Sequence, residues 1–157
     1  MNMKTMVRAT LTRLARVATI VAPPLLRIAL AVPFFRSGLT RWDGFLSLAP
    51  SAAYLFEEEF KLHLFGTAYA FPAPLVVAHL VGGAEIVLPI LLVLGLGTRF
   101  TALGLLIMTG VIQLVVPDGW ANFHLPWASM AVAIIAIGPG WLSIDHLLDE
   151  WCRATSR

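Results

Sequence analysis

Three ionisable side chains, Arg27, Arg36 and Glu85, stand inside stretches that are otherwise almost wholly apolar. A charge in such a place is costly, so each is a candidate for function or for pairing. Arg27 lies about 10 residues in from the start of its stretch and Glu85 about 11 from the end of the next, the same depth at ~1.5 Å per helical residue. An Arg27–Glu85 ion pair is therefore the economical expectation; the alternative makes Glu85 a proton carrier or part of a ligand site. Arg36, His79 and Gln113 fall at a second shared depth, where Arg36 and His79 could donate to the carbonyl oxygens of an anionic or quinone-like headgroup. The plainer reading lets Arg36 snorkel to the interface while His79 and Gln113 serve backbone carbonyls. Nine residues separate Arg27 from Arg36, which puts the two on opposite faces of a straight helix.

Glu57, Glu58 and Glu59 form the densest charge cluster, flanked by Tyr54, Phe56 and Phe60. Such a run is ordinarily a solvated face beside an interfacial aromatic belt, but it also fits a docking edge for a cationic peptide or a metal-loaded partner. His63, His79, His124 and His146 make no ligand pattern, so no metal site is assigned. His79 and His124 could bracket a haem, although nothing in their spacing demands it. Ser143 and Asp145 read as caps of a short terminal helix. The single cysteine, Cys152, allows neither an intramolecular disulfide nor a Cys-x-x-Cys pair, which argues against thiol–disulfide relay in this chain alone.

The elements that must carry these residues belong to a membrane protein. Hydrophobic residues make up 59% of the 157 positions and charged residues 13%, where a soluble domain carries about 25% charged. A chain this apolar needs the lipid bilayer as its solvent. The net charge of +2 comes without a basic patch interleaved with aromatics, so nucleic acid is not an expected partner. Apolar runs of roughly 20 residues predict helices over about 17–39, 74–96, 100–117 and 125–137. A basic, surface-lying segment over 1–16 precedes them and an interfacial tail over 143–153 follows. The expected fold is an all-α integral membrane protein, a four-transmembrane-helix bundle in one domain over 1–157, with one long exterior loop over 40–72. Lys4, Arg8, Arg13, Arg16, Arg99, Arg153 and Arg157 would share one side against Arg41 and Lys61 on the other. The positive-inside rule then places both termini in the cytoplasm.

Several short motifs, in order, resemble the DoxX family of small bacterial membrane proteins. They are Arg36-Ser37-Gly38-Leu39-Thr40-Arg41 at the end of the first helix, Gly83-Ala84-Glu85 in the second and Leu94-Gly95-Leu96-Gly97-Thr98-Arg99 at the next turn. Gly138-Pro139-Gly140-Trp141-Leu142-Ser143-Ile144-Asp145 follows the fourth helix. The resemblance covers about residues 22–148 and implies a four-helix fold in the bacterial inner membrane, working as an accessory partner of redox and stress systems. The loop from Tyr54 to Phe60 is similar to a subgroup found beside metal-binding modified peptides and their modifying enzymes.

Two classes of function follow. The first is a non-catalytic accessory subunit supporting a redox or metal-stress system, with an exported peptide or redox protein as partner. The second is a quinone-reactive oxidoreductase subunit using the Arg36, His79 and Gln113 level. Transport of a small solute is a weaker third, because four helices without a detectable repeat rarely make a transporter alone. These residues assign no catalytic centre.

Overall fold

The computed structural model describes residues 3–155. Four of its helices are long and apolar enough to cross a membrane. Helix α1 (Met3–Leu39) is followed by a short α2 (Pro50–Tyr54), a π-helical turn (Leu55–Glu59) and a hairpin of β1 (Lys61–Leu64) with β2 (Thr67–Ala70). Then come α3 (Pro74–Leu94), α4 (Thr98–Val115), α5 (Leu125–Ile137) and α6 (Ile144–Thr155). A 3-10 turn (Pro117–Gly119) and a π turn (Trp120–His124) lead into α5 and complete the fourth span.

α1 packs on α3 and α5, α3 on α4, and α4 on α5, so the four close into a ring. Leu30, Ala31 and Phe34 of α1 meet Leu92, Ala102, Leu105, Ala131 and Ile134 at its centre. The outward faces carry exposed Val76, Leu80, Val87, Ile107 and Val132. Exposed apolar side chains on every face are what a bilayer would cover. Thr109 Oγ1, buried in α4, donates to the Leu105 carbonyl of its own helix at 2.7 Å, which removes the cost of an unpaired polar group in a dry interior.

Two features depart from the sequence expectation. α1 has no break between a surface segment and a span: it runs as one helix from Met3 through Pro23, Pro24 and Pro33. Its 37 residues would reach ~55 Å at about 1.5 Å each, well beyond a hydrocarbon core of about 30 Å. Every residue from Met3 to Val21 is exposed, and the first buried one is Pro23. Helix α1 therefore joins the bundle six residues later than residue 17, the expected start of the span. The second departure is the long connection. α1 stops at Leu39 beside Glu85, in mid-α3, where Gly38 lies so close to α3 that a Cβ there would sit 2.9 Å from the Glu85 backbone carbon. α3 continues to Pro74, so residues 40–72 fold back along its free half. Trp42 lies against α3 at Gly82 and edge-on to the His79 ring at 5.9 Å, while β1 packs on α4. The hairpin reverses at Phe65 and Gly66, both at positive φ, as a two-residue turn between twisted strands requires.

Candidate functional site

Glu85 is 2% exposed and does not meet Arg27. Its partner is Arg41, whose Nε donates to Oε2 at 3.1 Å and whose Nη2 lies 3.5 Å from Oε1. Ser37 Oγ donates to Oε1 at 3.0 Å. The expected Arg27–Glu85 pair is thus corrected to Arg41–Glu85. The error lay in the origin of the depth count. With α1 entering the bundle at Pro23 rather than Val17, Arg27 moves about 9 Å toward the end that holds both chain termini. Arg41, taken for an exterior loop residue, moves inside because α1 ends half-way along α3.

The Arg41 guanidinium also lies over two aromatic rings, 5.3 Å from the Phe56 centroid and 5.7 Å from that of Phe60. Cations over aromatic faces are stabilised by the ring quadrupole, more so when desolvated. Phe56 is 4% exposed and stacks on Phe60 and Phe71. Together these rings cover an apolar pocket of about 180 Å³ in the loop-end half of the bundle, which all four spanning helices line. Phe34, Val81, Ile112 and Trp127 form walls, and Ser37, Arg41 and Glu85 form the polar patch.

Arg27 belongs to a second polar cluster at the terminal end. Only 2% exposed, it donates through Nη2 to the Leu142 carbonyl, and its Nη1 and the Ser143 side chain both lie against Gly95, where an added Cβ would collide with them. Gly95 also closes α3 at φ 70°, a left-handed turn that glycine adopts without strain. Asp145 accepts the Gly97 N–H at 2.7 Å and the Thr98 N–H at 2.8 Å, so it caps α4. Burial pushes its carboxyl up, but the Thr98 and Gly97 hydrogen bonds and the Arg27 charge outweigh burial and hold it below the ordinary carboxylate value. Ser143 does cap α6: its Oγ accepts the His146 N–H at 3.2 Å. The Gly95–Arg99 turn and the Gly138–Asp145 motif are therefore one structural joint.

The Arg36, His79 and Gln113 level is not assembled. Arg36 is exposed, and His79, also exposed, holds its own helix at the Leu75 carbonyl at 2.7 Å. Gln113 bonds the Pro117 carbonyl at 3.0 Å and His124 Nδ1 at 2.6 Å. His124 stacks beside Trp127 at 5.5 Å, so His79 and His124 are engaged separately rather than facing one another. Among the described residues no group of three or more His, Cys, Asp and Glu is placed to hold a metal ion. Glu57, Glu58 and Glu59 are all exposed on the π turn. Tyr54 donates to Glu59 at 3.4 Å and Lys61 to the Glu57 carbonyl at 3.0 Å.

Sequence reasoning passed over Arg41 and Ser37 as site residues, although both stand in the motif running from Arg36 to Arg41. The signal was the i, i+4 spacing of Ser37 and Arg41, which stacks two hydrogen-bonding side chains on one helical face.

The DoxX family model matches residues 22–118. An uncharacterized protein of Haemophilus influenzae is 32% identical over 138 residues, covering 80% of this chain and 82% of the relative. No solved structure matches. The matched region runs from the point where α1 joins the bundle, through Arg27, Arg41 and Glu85, to the turn after α4, and on this ground the chain belongs to the DoxX family.

Proposed function

We propose that this multi-pass membrane protein is an accessory subunit of a bacterial inner membrane. It holds a small lipid-soluble molecule in the outer half of its bundle and presents it to a redox or metal-stress system. The observation that carries this reading is the pocket of about 180 Å³ between the four spanning helices, with a buried ion pair in its wall and an aromatic cover. Apolar pockets with a few convergent polar groups are the usual form of small-molecule sites. The reading also gives the covering segment a double role, because its Phe56 faces inward while Glu57, Glu58 and Glu59 face out. A cationic exported peptide or redox protein docking on those acids would press on the cover of the pocket. The distribution of Lys and Arg supports an orientation with both termini in the cytoplasm and the cover at the exterior.

The test is the organic extract and absorption spectrum of protein purified from native membranes. A lipid-soluble compound should be recovered with the protein and be lost from a Val81→Phe variant that fills the pocket. An extract identical in both proteins would overturn the reading, and a bound chromophore with redox activity would turn it toward a quinone-reactive subunit. For the docking edge, changing Glu57, Glu58 and Glu59 together to Gln should lower partner recovery at low salt and leave thermal stability unchanged. Unchanged recovery would reduce the cluster to a solvated face.

A further inference from the structure

The pocket's chemistry narrows what it can hold. Its polar patch is an ion pair, Arg41 with Glu85, and so is neutral as a unit. A charged ligand would add an uncompensated charge to an apolar interior, which is costly; a neutral ligand adds none. The two partners also differ in unused capacity. A guanidinium has five N–H donors and a carboxylate about four acceptor sites. Glu85 takes two of the donors, while Arg41 and Ser37 fill three acceptor sites on Glu85. The patch that remains is mainly a donor and calls for a hydrogen-bond acceptor. The walls call for a flat ring: Phe34 of α1, Trp127 of α5, and Phe56, Phe60 and Phe71 of the cover line the pocket, and aromatic faces and edges favour aromatic partners. Size is compatible with this. An apolar cavity of about 150 Å³ takes benzene, so the present 180 Å³ has room for one ring with a small substituent among these side chains.

We propose that the Arg41–Glu85 pocket is a binding site for an uncharged, single-ring aromatic compound bearing a carbonyl-type oxygen, with the ring among the phenylalanines and the oxygen accepting from Arg41. This deepens the preceding proposal and rests on its pocket being a working site. Ser37 is a positioning residue: by donating to Glu85 it fixes the carboxylate that in turn fixes the guanidinium.

Two fluorinated probes of nearly equal shape separate the parts of this claim. 4-Fluoroacetophenone carries the carbonyl, and 1-ethyl-4-fluorobenzene replaces it with a methylene. Their binding to the full chain in lipid nanodiscs is read by fluorine NMR, with empty nanodiscs correcting for partition into lipid. The ketone should bind about tenfold or more tightly than the hydrocarbon, the ratio expected for a hydrogen bond to a charged donor. Val81→Phe, or Val77→Phe if the first is unstable, should abolish binding of both. The double variant Arg41→Met with Glu85→Gln removes the ion pair while keeping the apolar walls, and should bind both probes equally. Equal affinity of the two probes for the unaltered chain, lost on filling, would overturn the ligand class and leave the pocket reading standing. Probe signals that do not differ between the unaltered and filled chains would overturn both.

Discussion

Glu85 is buried with three hydrogen bonds and one cation, and that environment explains how a carboxylate persists in an apolar helix. Removing one member of a buried pair leaves the other uncompensated, at about 3–5 kcal/mol. Glu85→Gln and Arg41→Met should each lower thermal stability in detergent, and the double variant should recover part of the loss. Arg27→Met combined with Glu85→Gln should instead give additive losses, since distant sites without shared partners do not couple. Coupling between Arg27 and Glu85 of the same size as between Arg41 and Glu85 would refute the assignment. That Arg27 and Glu85 would be buried was legible from their residue type inside apolar stretches. Their partners were not, because a partner depends on where each helix enters the bundle, and residues 3–21 carry too much apolar character to mark that point. Asp145 gives a second test at this scale. Its folded-state pKa is depressed, so the stability it contributes is full above the unfolded value of 3.8 and is lost as pH falls through the lower folded value. Asp145→Asn should be less stable than the unaltered chain at pH 7, and the gap should close as the solution is acidified below about pH 4. A gap that is constant with pH would show that the charge of Asp145 contributes nothing.

At the scale of elements, the motifs after α3 and after α5 make sense only together. Each reads alone as a glycine-rich helix stop. In the fold, the second supplies Asp145 to cap the first's helix, while the Leu142 carbonyl and Ser143 meet Arg27 from α1. Three separate segments are thereby fixed at one end of the bundle, and α6 is tied to it although none of its own residues is buried. Ser143 as a cap of α6 followed from local spacing; the reach of Asp145 to Gly97 did not, because the two stand 48 positions apart in the chain. The spans themselves were legible for the opposite reason. The last three are apolar runs bounded by turn residues, and α5 begins and ends at the residues expected. In the cover over residues 40–72, expected as a long exterior loop, the π turn and hairpin were not legible. Those depend on tertiary contacts: Phe56 and Phe60 settle over Arg41, and β1 lies on α4, where Leu114 offers its carbonyl to His63 at 3.2 Å.

For the whole molecule, the two ends of the bundle differ in kind. One carries the basic extension of α1 and the amphipathic α6, with the Arg27–Asp145 joint between them. The other carries the acidic cover and the pocket. The positive-inside rule favours the proposed orientation, with the basic end on the cytoplasmic side. The extension bears Lys4, Arg8, Arg13 and Arg16, and its exposed Met3, Val7, Leu11 and Leu14 recur at the three- and four-residue spacing of one helical face. Reversed insertion would carry these four cations across the membrane and place Glu57, Glu58 and Glu59 in the cytoplasm. Impermeant thiol reagents read the orientation directly. With Cys152 replaced by Ser, single cysteines at positions 58 and 155 should behave oppositely in spheroplasts: the first labelled from outside, the second only after lysis. Position 58 lies on the exposed π turn and position 155 at the exposed end of α6, so neither change disturbs the core. Labelling at 155 without lysis would end this topology, and with it the proposal that the aromatic cover meets an exported partner.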